Sequence, residues 1–308
     1  MSAPIICLGA ANIDAKAQAL QPIVLGSSNP VKTTEQFGGV ARNVCENLAR
    51  LGCTTGLFAP LGTDAAAARI KAHLEQLGVN LTTFSQPLNL PTARYTALID
   101  ADGNLTAGMA DMQIADAITT DHIDQQADFL ARYPIWFADA NLPEPVLSRI
   151  NEARLPGTIL AADGVSVAKA SRLQGLLPNL DLLVCNIDEA MALRGKPIRA
   201  PLDVISTAHW LRDQGVGKVV ISQGADGCYA ASAGISTFFS ALPISTIDVT
   251  GAGDALTAGI LYGHSHAMPF ETSVRLGLAA AALTCQTIQS VNPDLSSKTI
   301  LSMIADAP

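Results

Sequence analysis

Residues 248–259 read DVTGAGDALTAG, and the organisation of the whole chain follows from how this stretch is read. It comes after an extended stretch, LPISTI, and opens a segment with helical spacing over 251–265. Gly251 and Gly253 flank the small Ala252, which leaves the backbone bare at a helix start. Several N–H groups then converge on a single anion, with the helix dipole behind them. Asp254 stands in the first turn of that helix. A carboxylate beside an anion hole makes chemical sense if it handles a proton. Phosphoryl transfer to an alcohol needs such a group, because the acceptor hydroxyl loses its proton as the P–O bond forms. The same residues also fit an ordinary helix start in which Asp254 only caps the first turn.

Upstream, short apolar runs at 4–9, 56–60, 135–138, 158–162, 181–185 and 217–222 alternate with segments of helical spacing at 39–51, 63–77, 119–131, 143–153 and 201–214. Within 39–51, Val40, Val44, Leu48 and Leu51 form one stripe, which ends at Gly52. Apolar strands between amphipathic helices predict an α/β fold with a mostly parallel sheet covered on both faces. Two stretches break the rhythm. Residues 14–37 and 92–109 alternate Thr, Tyr, Val and Ile, with an Asp-Gly turn at 102–103, and read as half-exposed antiparallel strands. Both leave the main fold and return to it, so the expectation is one domain over 1–308 with a small β lid. The exposed lid edges suit pairing between two chains, and a homodimer is expected.

Composition narrows the function classes. With 308 residues, 19 Lys plus Arg against 27 Asp plus Glu and a net charge of −8, the chain lacks the electrostatic footprint of a protein that wraps duplex nucleic acid. An anionic ligand therefore needs a local site. The cysteines Cys7, Cys45, Cys53, Cys185, Cys228 and Cys285 form no C-x-x-C pair and read as buried free thiols of a reducing cytoplasm. The start, MSAPIICLGAANID, lacks a basic n-region, and no stretch reads as membrane-spanning. Neither G-x-x-x-x-G-K-[ST] nor a G-x-G-x-x-G after the first strand is present, which excludes the P-loop NTPase and argues against dinucleotide binding. His264 and His266 form an H-x-H with no third ligand in reach and read as an exposed helix end.

DVTGAGDALTAG resembles the C-terminal signature of the ribokinase-like (PfkB) carbohydrate kinases, and GGVARNVCENLARLG (38–52) resembles their N-terminal Gly-Gly signature. The two occur in the family's order, and ANID (11–14) and the N-x-x-E of Asn186 and Glu189 fall where the family has them. The resemblance spans essentially the whole chain. It implies a three-layer α/β/α sandwich with a small antiparallel lid, Asp254 as general base, and the amides of Gly251, Ala252, Gly253 and Asp254 as anion hole. SNPVK (28–32), GGVARN (38–43), DMQIADAIT (111–119) and NPDLS (292–296) resemble the members that act on pseudouridine more than ribokinase or fructokinase. This implies ATP-dependent phosphorylation of the 5′-hydroxyl of pseudouridine. Ribose or another nucleoside is the alternative acceptor, and a non-catalytic nucleoside-binding regulator is a third reading.

The resemblance also distributes roles. Asn12 and Asp14 would reach the crevice from the end of the first strand, Asp14 accepting hydrogen bonds from two ribose hydroxyls. Gly38 and Gly39 would let the backbone approach the sugar, and Asn43 would contact a ribose hydroxyl. Asn29, Asp111 and Gln113 are the candidates for base or lid contacts. Lys169 is a candidate for positive charge near the transferred phosphate, with a surface lysine as the bland alternative, and Arg42 reads as a solvated helix residue. Asn186 and Glu189 lie near the ATP phosphates, with Glu189 holding Mg²⁺ through water. Ser222, Gly224, Gly227 and Thr250 complete the nucleotide side. Asp248 resembles the carboxylate that holds a monovalent cation, K⁺, in many members. Two departures stand out: SQGADG (222–227) replaces a Lys/Thr-Gly-rich turn, and VCNIDE (184–189) lacks a lysine two residues before the Asn.

Overall fold

The computed structural model describes residues 2–82 and 89–305. Among these residues a nine-stranded sheet runs through the body. Its parallel part comprises β1 (Ile5–Leu8), β4 (Thr55–Phe58), β5 (Asn80–Thr82), β8 (Ile135–Asp139), β9 (Ile159–Asp163), β10 (Leu182–Asn186) and β11 (Val219–Ser222). β12 (Cys228–Ala231) and β13 (Ser236–Phe239) extend one edge antiparallel, giving the order β13-β12-β11-β10-β9-β8-β1-β4-β5. The apolar runs become strands because they are buried on both sides. In β1, Ile5 and Cys7 enter the core on one face, and Ile6 and Leu8 the core on the other.

The two insertions form a second sheet from β2 (Asn12–Ala19), β3 (Val31–Gly38), β6 (Arg94–Ile99) and β7 (Leu105–Asp111), in the order β3-β2-β6-β7. Each insertion is an antiparallel hairpin, but the central β2–β6 pairing is parallel, because both strands leave the body in the same direction. The Asp-Gly at 102–103 lies in the turn between β6 and β7.

Helices form near their expected places: Val40–Arg50, Ala65–Gln76, Glu144–Glu152, Pro201–Asp213 and Ala252–Ser265. The 119–131 segment instead splits into two short pieces, Thr120–Asp124 and Ala127–Leu130. The helix Phe270–Thr284 packs against Ala252–Ser265 so closely that a Cβ on Gly259 would meet the Gly277 backbone at 2.6 Å. No helix of the described residues is long and apolar enough to cross a membrane. The cysteines are all free; Cys285 is half-buried and the other five are buried.

In a parallel sheet all carboxyl ends point to one edge. Here that edge collects Gly9 after β1, Asp139 at the end of β8, Asp163 at the end of β9, Asn186 at the end of β10 and Ser222 at the end of β11. β2 departs toward the lid from the same edge.

Candidate active site

The helix Ala252–Ser265 begins at Gly251, which adopts the left-handed conformation with φ 80°. A side chain there would strike the Ser290 carbonyl, so only glycine fits. A Cβ on Gly253, by contrast, would meet nothing within 4 Å. The bare backbone therefore faces open space on the side of Gly253, as an anion site requires. Of the amides at this turn, that of Ala252 turns back to the Val249 carbonyl at 3.2 Å.

Asp254 meets the helix Val40–Arg50. Asn43 Nδ2 donates to Asp254 Oδ2 at 2.6 Å. Burial pushes the Asp254 carboxyl up to about 7, while the Asn43 hydrogen bond and the charge of Arg42 pull the other way. A carboxylate poised near neutrality suits proton transfer. Asn43 is 5% exposed and its Oδ1 finds no partner among the described residues. A buried acceptor left open beside the carboxylate is a ready contact for a ligand hydroxyl.

On β2, Asn12 Nδ2 donates to Asp14 Oδ1 at 2.6 Å. Asp14 lies over Gly38, where any Cβ would collide with its carboxylate. Burial raises the Asp14 carboxyl, opposed by the hydrogen bond from Asn12 and by the charges of Arg42 and Lys16. Gly39 takes φ 96° against the Ala10 carbonyl. Asn12, Asp14, Gly38, Gly39, Asn43 and Asp254 thus gather where lid and body meet.

Arg42 is not the solvated helix residue that its charge suggests: it is 2% exposed. Its guanidinium donates to the Gly38 carbonyl at 3.1 Å and the Phe37 carbonyl at 2.6 Å, and pairs with Glu46. Glu46 also accepts from Arg50 and His73, and these hydrogen bonds, with the charge of Arg42, hold its carboxyl down at about 2 despite burial. Sequence reasoning also missed Asp139. This wholly buried carboxylate accepts from the amides of Ala10 (3.1 Å) and Ala41 (2.8 Å), fixing the loop after β1 to the start of the helix Val40–Arg50. Its signal was legible in WFAD, an apolar strand that ends in a carboxylate at the functional edge.

Lys169 is half-buried and Nζ donates to Asn141 Oδ1 at 2.5 Å, just beyond the end of β8; burial lowers its ammonium. Asn186 and Glu189 form a reciprocal cap: Glu189 N–H donates to Asn186 Oδ1 at 2.9 Å, and Asn186 N–H donates to Glu189 Oε2 at 3.0 Å. Asp163 lies on the neighbouring strand. Burial first, then repulsion from Glu189 and Asp254, holds its carboxyl well above the usual range, and burial raises that of Glu189. Ser222, Gly224 and Gly227 occupy the β11–β12 turn, and the Thr250 hydroxyl donates to Asp248 Oδ1 at 2.6 Å.

Other expected residues stand apart. The side chain of Asn29 closes the β2–β3 turn through Val24 and Ser27, at the far end of the ladder from Asn12. Asp111 and Gln113 are exposed at the near end of β7, where Asp111 pairs in register with Arg94. His264 is half-buried beside a small cavity with Asp181, Lys218 and Phe270, so only His266 stands exposed at the helix end.

The chain as a whole is similar to known proteins. The pseudouridine kinase of Escherichia coli (strain K12) is 32% identical over 308 residues, covering 98% of this chain and 97% of that protein. A carbohydrate kinase from Agrobacterium tumefaciens superposes with a TM-score of 0.88 at 32% identity, covering 99% and 98% of the two chains. Arabidopsis thaliana ribokinase, solved with ribose and ATP, superposes over 100% of both chains with a TM-score of 0.85; at 21% identity it shows the shared fold. Residues 2–297 match the pfkB family carbohydrate kinase group, and the chain belongs to that family of phosphotransferases with an alcohol acceptor.

Proposed function

We propose that this chain transfers the γ-phosphoryl group of ATP to the 5′-hydroxyl of pseudouridine, with Asp254 as general base. The observation that carries the reading is the Asp254 carboxylate, hydrogen-bonded by Asn43 at 2.6 Å in the first turn of a helix whose glycine-bared start leaves open space at Gly253. The Escherichia coli relative supports the acceptor, since it carries that activity in its name and matches nearly end to end.

The residues then act as follows. Asp14 accepts hydrogen bonds from ribose hydroxyls, and Asn43 Oδ1 accepts another while its Nδ2 orients Asp254. Gly38 and Gly39 let the sugar approach the backbone. As the 5′-oxygen attacks in line, Asp254 takes its proton and the amides of Gly251, Gly253 and Asp254 stabilise the charge developing on the transferred group, the Ala252 amide being held by the Val249 carbonyl. Lys169 adds positive charge from the end of β8. Asn186, Ser222, Gly224, Gly227 and Thr250 line the nucleotide side.

Burial raises the carboxyls of Asp163 and Glu189, and Glu189 further repels Asp163, so a hydrated divalent cation beside them would relieve the cost of ionising both. Glu189 would hold Mg²⁺ through water, and the bound ion would neutralise charge on the ATP phosphates. Closure of the lid excludes water, which otherwise competes with the nucleoside as acceptor. β7 is an edge strand exposed along its whole length, with Leu105 and Met109 outward, and it supplies the homodimer contact.

The test is a coupled ADP-release assay with pseudouridine, uridine, adenosine and ribose side by side. Pseudouridine should give the highest kcat/KM. A higher value for ribose or another nucleoside would reassign the acceptor, and ligand binding without ADP release would point to a regulator.

A further inference from the structure

Asp248 stands at the entrance to the anion-hole turn, three residues before Gly251. Oδ1 accepts the Thr250 N–H at 2.8 Å and the Thr250 hydroxyl at 2.6 Å, while Oδ2 accepts from Lys16 Nζ at 3.1 Å. Lys16 comes from the lid. It follows Asp14 by two residues on β2, so it projects from the same face of the pleat toward the body. Both carboxylate oxygens of Asp248 therefore have partners supplied by the chain. A monovalent ion on this carboxylate would meet the Lys16 ammonium at contact distance, so the residues as arranged do not fit K⁺.

The surroundings reinforce this. Lys16 and Asp248 face a cavity of about 600 Å³. Its other cations are committed elsewhere: Arg42 and Arg50 to Glu46, and Arg69 to Glu35. Among the described residues that line this cavity, Lys16 is thus the cation available to Asp248.

We propose that Lys16 is a positioning residue whose ammonium provides at Asp248 the positive charge that a bound monovalent cation would otherwise provide, bracing the 248–251 turn. The brace joins the lid to the body, so the turn is held in shape when β2 lies over the site. The inference rests on the kinase reading for its catalytic consequence, but the ion pair itself does not depend on the acceptor.

Wild type, Lys16→Met and Lys16→Arg are compared in potassium chloride and in tetramethylammonium chloride at equal ionic strength, reading both thermal unfolding and phosphorylation of pseudouridine. Wild type and Lys16→Arg should keep kcat within about twofold between the two salts, with no K⁺-specific rise in Tm. Lys16→Met should lose on the order of tenfold in kcat without K⁺, regain part of it with K⁺, and show a K⁺-specific rise in Tm. Three results overturn the proposal: wild type and Lys16→Met activated equally by K⁺, Lys16→Met unaffected in either salt, or a defect confined to nucleoside KM with unchanged salt response. If wild type phosphorylates no nucleoside, the kinase reading fails, and the unfolding measurements still decide the role of Lys16.

Discussion

Asn43 reaches Asp254 across 211 residues of sequence, its Nδ2 donating to Oδ2 at 2.6 Å. One hydrogen bond thereby ties the Gly-Gly helix to the anion-hole helix and fixes the direction of the carboxylate. It also opposes the effect of burial on that carboxyl. Asn43→Ala should therefore move the pH midpoint of kcat/KM upward and lower kcat/KM by about tenfold. An unshifted profile would show that the bond does not tune the base.

Asp254 itself sets a pH dependence. An Asp carboxyl raised from 3.8 to about 7 keeps its proton through most of that interval. Activity that needs the ionised base should fall as pH drops below about 7, with a slope of one proton. Stability runs the opposite way, because ionisation is disfavoured in the folded chain. Relative to Asp254→Asn, the wild type should lose stability as pH rises from about 4 to about 7, and the difference should level off above that. Denaturant titrations of both proteins across this range measure it.

The α/β body was legible because its strands are apolar on both faces and its helices carry a single stripe, as in Val44, Leu48 and Leu51. The lid was legible from alternation around Asp102-Gly103. The less visible parts depend on tertiary burial. Nothing local distinguishes Arg42, buried under the lid, from a solvated arginine one turn into a helix. Lys16 likewise needed the three-dimensional return of Asp248, distant in sequence, to acquire a partner. The β12–β13 hairpin escaped because SQGADG was weighed as a nucleotide turn and not as a strand connection.

Arg42 joins two lid carbonyls to the Glu46 network, so Arg42→Met should destabilise the fold by about 3–5 kcal/mol, since the change leaves buried acceptors without their donor. Urea midpoints for wild type and variant check the value. A loss under about 1 kcal/mol would mean that the lid carbonyls find water instead.

Gly251 allows a complementary test of the anion-hole turn. Alanine there meets both a φ of 80° and the Ser290 carbonyl. Gly251→Ala should cost about 1–3 kcal/mol of stability and, if the turn serves the transition state as proposed, lower kcat more than it raises nucleoside KM. Equal changes in kcat and KM would show that the turn serves ground-state binding as well.

The most direct measurement is single-turnover phosphorylation by Asp254→Asn, paired with calorimetric binding of pseudouridine. One carboxylate oxygen is replaced by an amide NH2 with little change of shape, so binding should remain within a few-fold while the rate of phosphorylation falls on the order of 10²–10⁴. Turnover close to that of the wild type would contradict the assignment of Asp254 as the group that takes the acceptor's proton.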